Sequence, residues 1–156
     1  MRKNILGSGE TPDTRSEQWL DLSKLATVEL TSEDPNFPIE CALVPGRGSG
    51  WRAAQKGTQI VRTVFDRPRS LHRIRLEFSE IAIERTQEFS LEWSAKPDGP
   101  FTEIVRQQWT FSPRGSTSEV EDYKVNLDSV SILQLTLKPD LTSSNAVASL
   151  AVWRIA

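Results

Sequence analysis

The residues that most often carry out catalysis are scarce in this chain. His72 is the only histidine and Cys41 the only cysteine among 156 residues. His72 stands among arginines, and no neighbouring serine or cysteine makes a nucleophile–base pair recognisable. A structural zinc site needs about four ligands, mostly cysteine and histidine. The sequence therefore favours neither nucleophilic catalysis nor a zinc centre, and we expect a protein that is not an enzyme.

Carboxylates are the second group that could do chemistry. They cluster near two predicted loops, as Glu77, Glu80, Glu84 and Glu88 in one place and as Glu119, Glu121 and Asp122 in another. A pair of carboxylates can serve as acid and base in glycoside hydrolysis. Acidic side chains on the solvent face of strands explain the same pattern, so a hydrolase is an alternative without specific support.

Aromatic residues beside amides and arginines indicate a different chemistry, the binding of sugars. An aromatic ring stacks on the C–H-rich face of a sugar, while amides and guanidinium groups hydrogen-bond to its hydroxyls. Trp109 follows Gln107 and Gln108 and precedes Arg114. Phe37, in a proline-rich turn, is a second candidate for the stacking surface.

The elements that must position these residues are strands. Apolar and polar residues alternate in short runs, as where Ile74, Leu76 and Phe78 share one face. About eight such runs, separated by Pro/Gly turns and with no convincing helical stretch, predict an all-β fold, an antiparallel β-sandwich of the jelly-roll type. The length fits one domain. We predict a flexible lead-in at 1–18 and a single sandwich domain at 19–156.

The order of the strands predicts which connections lie together. Successive connections of an antiparallel chain fall at alternate ends of the sandwich. One end is predicted to hold the short connections 66–70, 96–100 and 128–131. The other is predicted to hold the longer connections 32–58, 79–87, 110–118 and 139–148. Loops on a rigid sandwich often carry binding residues, so the second end is the predicted functional end.

A glycine-rich turn at 46–50 leads into Trp51 at this end. The turn lacks the lysine and the following helix of a phosphate-binding loop, so we interpret it as a flexible loop. Trp51, at the junction of loop and strand, is predicted to be a structural plug.

Charge and composition exclude several classes of partner. The formal net charge is -2, whereas nucleic-acid-binding domains are usually basic. No apolar run approaches the roughly 18 residues of a membrane span. The basic start is not followed by the apolar segment of a secretory signal, and one cysteine cannot form an intrachain disulfide. We therefore expect no nucleic-acid partner, no membrane span and a cytoplasmic location.

Several segments, in their order and spacing, resemble the discoidin, or coagulation factor 5/8 type C, family. They are 50–53 before the strand opening at 59–60, the turn 65–69, the run 91–101, and the ending 148–155. The resemblance extends from about residue 26 to residue 155. It implies a galactose-binding-like jelly roll that acts as a non-catalytic recognition module for sugars, phospholipid headgroups or protein partners.

The chain departs from this family where its carbohydrate-binding members hold calcium. Those members typically carry an Asn/Asp-Gly-Asp loop before the tryptophan and a glutamate in the last strand. Here the loop reads Val-Pro-Gly-Arg-Gly-Ser-Gly at 44–50, and Val152 takes the place of the glutamate. A hard cation needs several oxygen ligands. We therefore predict no calcium and no other cofactor.

The leading hypothesis is a module that binds carbohydrate or a similar polar ligand through the loops of the functional end. Its candidate ligand contacts are Phe37, Arg47, Arg85, Gln108, Trp109, Arg114 and Asn145. The alternative is an intracellular protein-interaction or scaffold domain of the same fold. Its mark would be a contiguous exposed apolar patch on a sheet face or at Trp19-Leu20. The oligomeric state and the identity of the ligand stay open.

Overall fold

The structure, a computed structural model, describes residues 18–142 and 145–156. The predicted lead-in at 1–18 lies almost wholly outside these residues. Two short helices are α1 (Leu22–Leu25) and α2 (Glu40–Leu43). The strands are β1 (Ala26–Leu30), β2 (Trp51–Lys56), β3 (Gln59–Ser79), β4 (Arg85–Ser94), β5 (Thr102–Phe111), β6 (Ser118–Lys138), β7 (Val147–Leu150) and β8 (Val152–Ile155).

These strands form the predicted antiparallel β-sandwich jelly roll. The larger sheet has the order β1-β3-β6-β4-β5, with β8 also paired to β3, and the smaller sheet pairs β2 with β7. The described residues thus contain eight strands, the predicted number, but the boundaries differ. The predicted runs at 59–65 and 71–78 are joined in β3, and those at 120–127 and 133–137 are joined in β6. The predicted final strand is divided into β7 and β8, and β2 was not predicted.

Two predicted connections, 66–70 and 128–131, are not loops. They lie inside the continuous strands β3 and β6, where the register between the two strands shifts. Pro68 has no N–H for the ladder and Ser129 has a positive φ of 57°, and such irregularities bend a strand. The first half of β3 pairs with β1 and the second half with β8. Each long strand therefore turns from one layer of the sandwich to the other.

The core follows the predicted alternation on both sides of these bends. Val61 and Phe65 are buried before the bend in β3, and Leu76 and Phe78 are buried after it. Phe78 stacks on Phe89 of β4 with ring centroids 5.3 Å apart. One continuous cluster of buried side chains joins the two layers.

The two ends of the sandwich bring together the predicted segments, but 66–70 and 128–131 do so as bends within strands and not as loops. At the end we call the loop end, the Glu80 N–H donates to the Thr117 carbonyl at 2.9 Å and an Arg85 Nη1 N–H donates to the Pro139 carbonyl at 2.8 Å. The connections 80–84 and 112–117 and the segment 139–142 therefore meet there. At the opposite end, Ser131 Oγ donates to the carbonyl of Ala95 at 2.8 Å, which joins the bend of β6 to the β4–β5 turn. No helix among the described residues is long and apolar enough to cross a membrane.

Candidate functional site

A cleft of about 570 Å³ lies at the loop end. It is built by the loop before β2, the start of β2, the loop between β3 and β4, and the chain around β7. Its lining includes Phe37, Trp51, Arg52, Glu80, Ile81, Ile83, Asn145 and Ser149. Three of the four connections predicted to form the functional end therefore share one concavity.

The floor of the cleft rests on Trp51, which is 1% exposed. Its indole Nε1 donates to the carbonyl of Ser32 at 3.1 Å, which satisfies the buried N–H. The prediction that Trp51 is a structural plug is confirmed by this burial.

Gly50 allows Trp51 to reach this position. A Cβ at Gly50 would lie 2.6 Å from the Leu150 carbonyl oxygen and 2.8 Å from the Ala151 Cα, and φ is +95°. Only glycine tolerates both the close approach and this backbone conformation. The glycine-rich turn therefore presses the start of β2 against the β7–β8 junction under the cleft.

Phe37 and Arg52 form one side of the cleft. The Arg52 N–H donates to the Phe37 carbonyl at 3.1 Å, and the Asp34 N–H donates to the Arg52 carbonyl at 2.8 Å, so the turn is fastened to β2. The Arg52 guanidinium carbon lies 4.7 Å from the centroid of the Phe37 ring. This geometry is a cation–π contact at the surface, which leaves the guanidinium N–H groups accessible to a ligand.

The loop between β3 and β4 forms a second side, and it is apolar. Ile81 is 74% exposed and Ile83 is 41% exposed. Both line the cleft. Exposed isoleucines in a concave surface mark a place where an apolar face of a ligand can be covered.

Glu80 is the only carboxylate among the described cleft-lining residues, and Arg85 neutralises it. Arg85 Nε donates to Glu80 Oε1 at 2.8 Å, and the Ala82 N–H donates to Glu80 Oε2 at 3.1 Å. Burial alone would raise the pKa of Glu80, but these hydrogen bonds and the charge of Arg85 together hold it below its usual value. Glu80 is therefore ionised and internally paired.

Arg85 itself, predicted as a ligand contact, is buried, with 0% of its side chain exposed. Besides Glu80 it donates from Nη1 to the Pro139 carbonyl and to Gln87 Oε1, and its guanidinium carbon lies 4.9 Å from the Phe111 ring centroid. The structure thus corrects the predicted role. Arg85 holds the connections 80–84 and 139–146 in place and does not reach the surface of the cleft.

The buried cluster continues from Gln87 to Glu119, a fully buried carboxyl. Gln87 Nε2 donates to Glu119 Oε1 at 2.8 Å. Burial raises the pKa of Glu119 to about 7, with a smaller contribution from Glu121 in the same direction, while Gln87 and Arg85 oppose the shift. Glu119 therefore changes its charge near neutral pH beneath the loop end.

Asn145, one of the predicted ligand contacts, supplies a third side of the cleft. Its Oδ1 accepts a hydrogen bond from Lys56 Nζ at 3.1 Å. Because the oxygen is engaged, the carboxamide offers its N–H donors. Ser149, directly opposite Arg52 in the β2–β7 ladder, adds a hydroxyl to the same surface.

Four other predicted contacts lie outside the lining of the cleft. Trp109 is half-buried against the core and its Nε1 donates to Ser116 Oγ at 3.1 Å. Gln108, on the opposite face of β5, donates to Glu88 Oε1 at 3.4 Å. Arg114 and Arg47 are exposed, each in its own turn. Of the seven predicted contacts, Phe37 and Asn145 are the two that line the cleft.

Four residues that line the cleft were not among the predicted ligand contacts: Arg52, Ser149, Ile81 and Ile83. Arg52 lies in the quoted segment 50–53, and its alternation with the buried Trp51 and Ala53 already indicates that it faces outward. Ile81 and Ile83 carry no such signal, because their exposure depends on how distant loops meet.

Among residues 18–142 and 145–156, no group of three or more His, Cys, Asp and Glu side chains is placed to hold a metal ion. The absence of bound calcium stays a prediction, and a melting temperature unchanged by EDTA would support it.

No protein-family model and no curated protein matches this sequence. Solved structures do match the fold. The CBM32 of AlyQ, solved with 4,5-unsaturated mannuronic acid, has a TM-score of 0.64 at 18% identity, covering 90% of this chain and 98% of that one. The CBM32-3 of a family 31 glycoside hydrolase from Clostridium perfringens has a TM-score of 0.61 at 20% identity, covering 93% and 98%.

A third similar structure is the family 32 CBM of C. perfringens NanJ in complex with galactose. Its TM-score is 0.58 at 15% identity, covering 88% of this chain and 96% of that one. Each match spans nearly the whole of both chains, which agrees with the resemblance found in the sequence. The chain has the galactose-binding-like, discoidin-type jelly-roll fold shared by these family 32 carbohydrate-binding modules.

Proposed function

We propose that this protein is a non-catalytic carbohydrate-binding module that holds a saccharide in the loop-end cleft. The observation that carries the proposal is the lining of the cleft, where an aromatic ring and two exposed isoleucines lie beside hydrogen-bond donors. Saccharides have this mixed character, with C–H faces bounded by hydroxyls. The solved structures with the same fold include modules bound to sugars, which supports the choice of ligand class.

Each side of the cleft has a distinct part in this function. Phe37, Ile81 and Ile83 cover apolar faces of the sugar ring. Arg52 and Asn145 donate hydrogen bonds to its oxygens, and both are fixed from behind, Arg52 by the Phe37 ring and Asn145 by Lys56. Donors held in place before binding lose less conformational entropy when the ligand arrives.

The lining of the cleft also supports a non-catalytic role. Glycoside hydrolysis commonly needs two carboxylates about the scissile bond. The described lining offers only Glu80, and Arg85 already neutralises it. Ligand binding is the activity that these side chains support.

The test is saccharide binding by variants with matched controls. A glycan array identifies a ligand, and calorimetry with that ligand compares Phe37→Ala and Asn145→Ala with Gln108→Ala, a polar truncation outside the cleft. We expect each cleft variant to weaken binding roughly tenfold or more, because each removes about 1–2 kcal/mol of contact. Gln108→Ala should bind like the wild type. Loss of binding in Gln108→Ala alone, or no saccharide bound at millimolar concentration, would contradict the proposal.

A second candidate function is the binding of a protein segment in the same cleft. Ile81 at 74% exposure is the observation that favours it, since a side chain of this kind commonly inserts into a partner. The earlier expectation of an apolar patch at Trp19-Leu20 is less favoured, because the Arg73 guanidinium covers the Trp19 ring at 5.2 Å. Ile81→Asp should abolish capture of such a partner while Val120→Asp, at another exposed apolar position, should not.

We also propose a cytoplasmic location. It rests on the single cysteine, which favours a reducing compartment. Fractionation of cells that express the full-length protein tests it.

A further inference from the structure

The positive and negative charges around the cleft are not balanced, and this imbalance indicates which kind of saccharide the cleft favours. Two charged residues line the cleft, Arg52 and Glu80. The charge of Glu80 is offset by Arg85 at 2.8 Å. No carboxylate of the described residues lies within ion-pair distance of Arg52, whose guanidinium rests on Phe37. The cleft therefore presents an uncompensated positive charge.

A second cation stands beside the same surface. Lys56 Nζ donates to Asn145 Oδ1 at 3.1 Å, a neutral partner, and the described residues supply no carboxylate that pairs with it. Arg52 and Lys56 are both exposed on β2, four positions apart. Their ladder partners Ser149 and Val147 are only two residues apart, so the irregularity in β2 brings the two cations closer together than four regular strand residues would.

Two acidic residues of the turn before β2 accept hydrogen bonds from backbone groups, and neither forms an ion pair with Arg52. Asp34 accepts from the Asn36 N–H at 2.9 Å, and Glu33 accepts from the Ile39 N–H at 2.8 Å. These hydrogen bonds hold the two carboxylates in the turn before β2, and neither neutralises Arg52. In a chain with a formal net charge of -2, a donor-rich, positively charged cleft is a local feature that favours negatively charged ligands.

We propose that the ligand is an anionic oligosaccharide, whose carboxylate or sulfate groups bind Arg52 and, further along the chain of sugars, Lys56. A guanidinium binds either anion through paired N–H donors. Two exposed cations on the same strand favour a saccharide with more than one acidic group, as an oligosaccharide of acidic sugars has. Phe37 then has two parts: one face of its ring orients the Arg52 guanidinium, and the ring also lines the cleft that holds the sugar. This inference rests on the proposed saccharide-binding function.

The experiment compares saccharides that differ in charge alone. Calorimetric titration of the full chain with an oligouronate and with its methyl ester keeps the sugar backbone and removes the carboxylate charge. We expect the ester to bind roughly ten- to hundredfold more weakly, as for the loss of a charge-assisted hydrogen bond. A sulfated oligosaccharide of similar length shows whether carboxylate or sulfate is the preferred group.

Variants assign the effect to the cleft. Arg52→Gln should weaken binding of the acid roughly tenfold or more and bring it close to that of the ester. Lys56→Gln should cause a smaller loss, and a longer oligosaccharide should show it more clearly than a shorter one. Arg67→Gln removes the same charge at the opposite end of the sandwich and should change nothing. Thermal melts confirm that each variant is folded.

The outcomes separate this inference from the function on which it rests. Equal affinity for the acid and its ester, or equal affinity of wild type and Arg52→Gln for the acid, would overturn the anionic ligand while leaving saccharide binding intact. If neither acidic nor neutral saccharides bind, both proposals fail together.

Discussion

Two arginines of this protein lie over phenylalanine rings at nearly the same distance, and their surroundings make them opposites. The Arg52 guanidinium carbon is 4.7 Å from the Phe37 centroid, and that of Arg85 is 4.9 Å from the Phe111 centroid. Arg52 is exposed in the cleft, whereas Arg85 has 0% of its side chain exposed. Because both arginines make the same kind of ring contact, the difference in burial is what distinguishes their roles.

The difference lies in the other partners of each guanidinium. Arg85 donates to Glu80, Gln87 and the Pro139 carbonyl. Its charge is therefore paired, and it joins the loop between β3 and β4, the start of β4 and the segment after β6. Arg52 has the ring as its fixed contact, and its N–H groups remain free to meet a ligand. A buried arginine with several partners builds the site, and an exposed one with a single orienting contact is suited to binding.

Replacing each arginine by methionine tests this contrast most strongly. Arg85→Met removes a buried charge that neutralises Glu80 and anchors two loops, so we expect a loss of about 3–5 kcal/mol in the free energy of unfolding. Arg52→Met breaks one exposed cation–π contact and should cost about 1 kcal/mol or less. Urea denaturation measures both, and similar losses in the two variants would show that the distinction between them is wrong.

Arg85→Lys refines the same comparison. Lysine keeps the charge but cannot reach Glu80, Gln87 and Pro139 at once, because it lacks the planar fork of donors. We expect a stability between those of the wild type and Arg85→Met. A lysine variant as stable as the wild type would show that charge alone, and not the three-way contact, holds the loops.

The contrast between the buried Arg85 and the exposed Arg52 can be predicted in part from the sequence. Period-two alternation places Arg85 and Gln87 on the face of Phe89 and Leu91, which is inward, and places Arg52 opposite the buried Trp51. Strict use of that alternation would have removed Arg85 from the predicted contacts and added Arg52. It would also have put Gln108 and Trp109 on opposite faces of β5.

The same alternation predicted the sandwich, the number of strands and the composition of both ends. It could not reveal that β3 and β6 pass through their bends without a break, since the Pro68 segment has the composition of a turn. Nor could it place Ile81 and Asn145 in one cleft, because that arrangement depends on the packing of loops about 60 residues apart in sequence. Local patterns determine the strands, and long-range packing determines which loops make the cleft.

Gly50 offers a second, smaller test, because it positions the strand that carries Arg52. Gly50→Ala places a methyl group 2.6 Å from the Leu150 carbonyl oxygen at a φ of +95°. Overpacking and backbone strain together should cost about 2–4 kcal/mol. Gly46→Ala is the matched control, since φ is +77° and nothing lies within 4 Å of its Cβ; it should cost about 1 kcal/mol. Equal melting temperatures for the two variants would contradict the close approach.

The smallest expected effect concerns the far end of the buried cluster, where Glu119 meets Gln87. Because burial raises the pKa of Glu119 from its ordinary value of 4.5 to about 7, the folded protein binds a proton there that the unfolded chain has released. The free energy of unfolding should therefore fall as the pH rises from about 4.5 to about 7, by about 1–3 kcal/mol in all, and stay level above that. The lowered pKa of Glu80 acts in the opposite sense at more acidic pH, where its stabilisation is lost as the pH falls.

Glu119→Gln isolates this contribution and also tests whether Arg85 depends on the Glu119 carboxylate. A glutamine resembles the neutral carboxyl in shape and can still accept the Gln87 hydrogen bond. We expect it to flatten the decline in stability between about pH 5 and pH 7 and to make the protein about 1–3 kcal/mol more stable than the wild type at pH 8. If the wild-type decline persisted in this variant, another buried group would be its source. If Glu119→Gln were instead less stable than the wild type at pH 8, ionised Glu119 would be stabilising the charge of Arg85. Arg85 would then depend on two carboxylates, Glu80 and Glu119, whereas Arg52 depends on none.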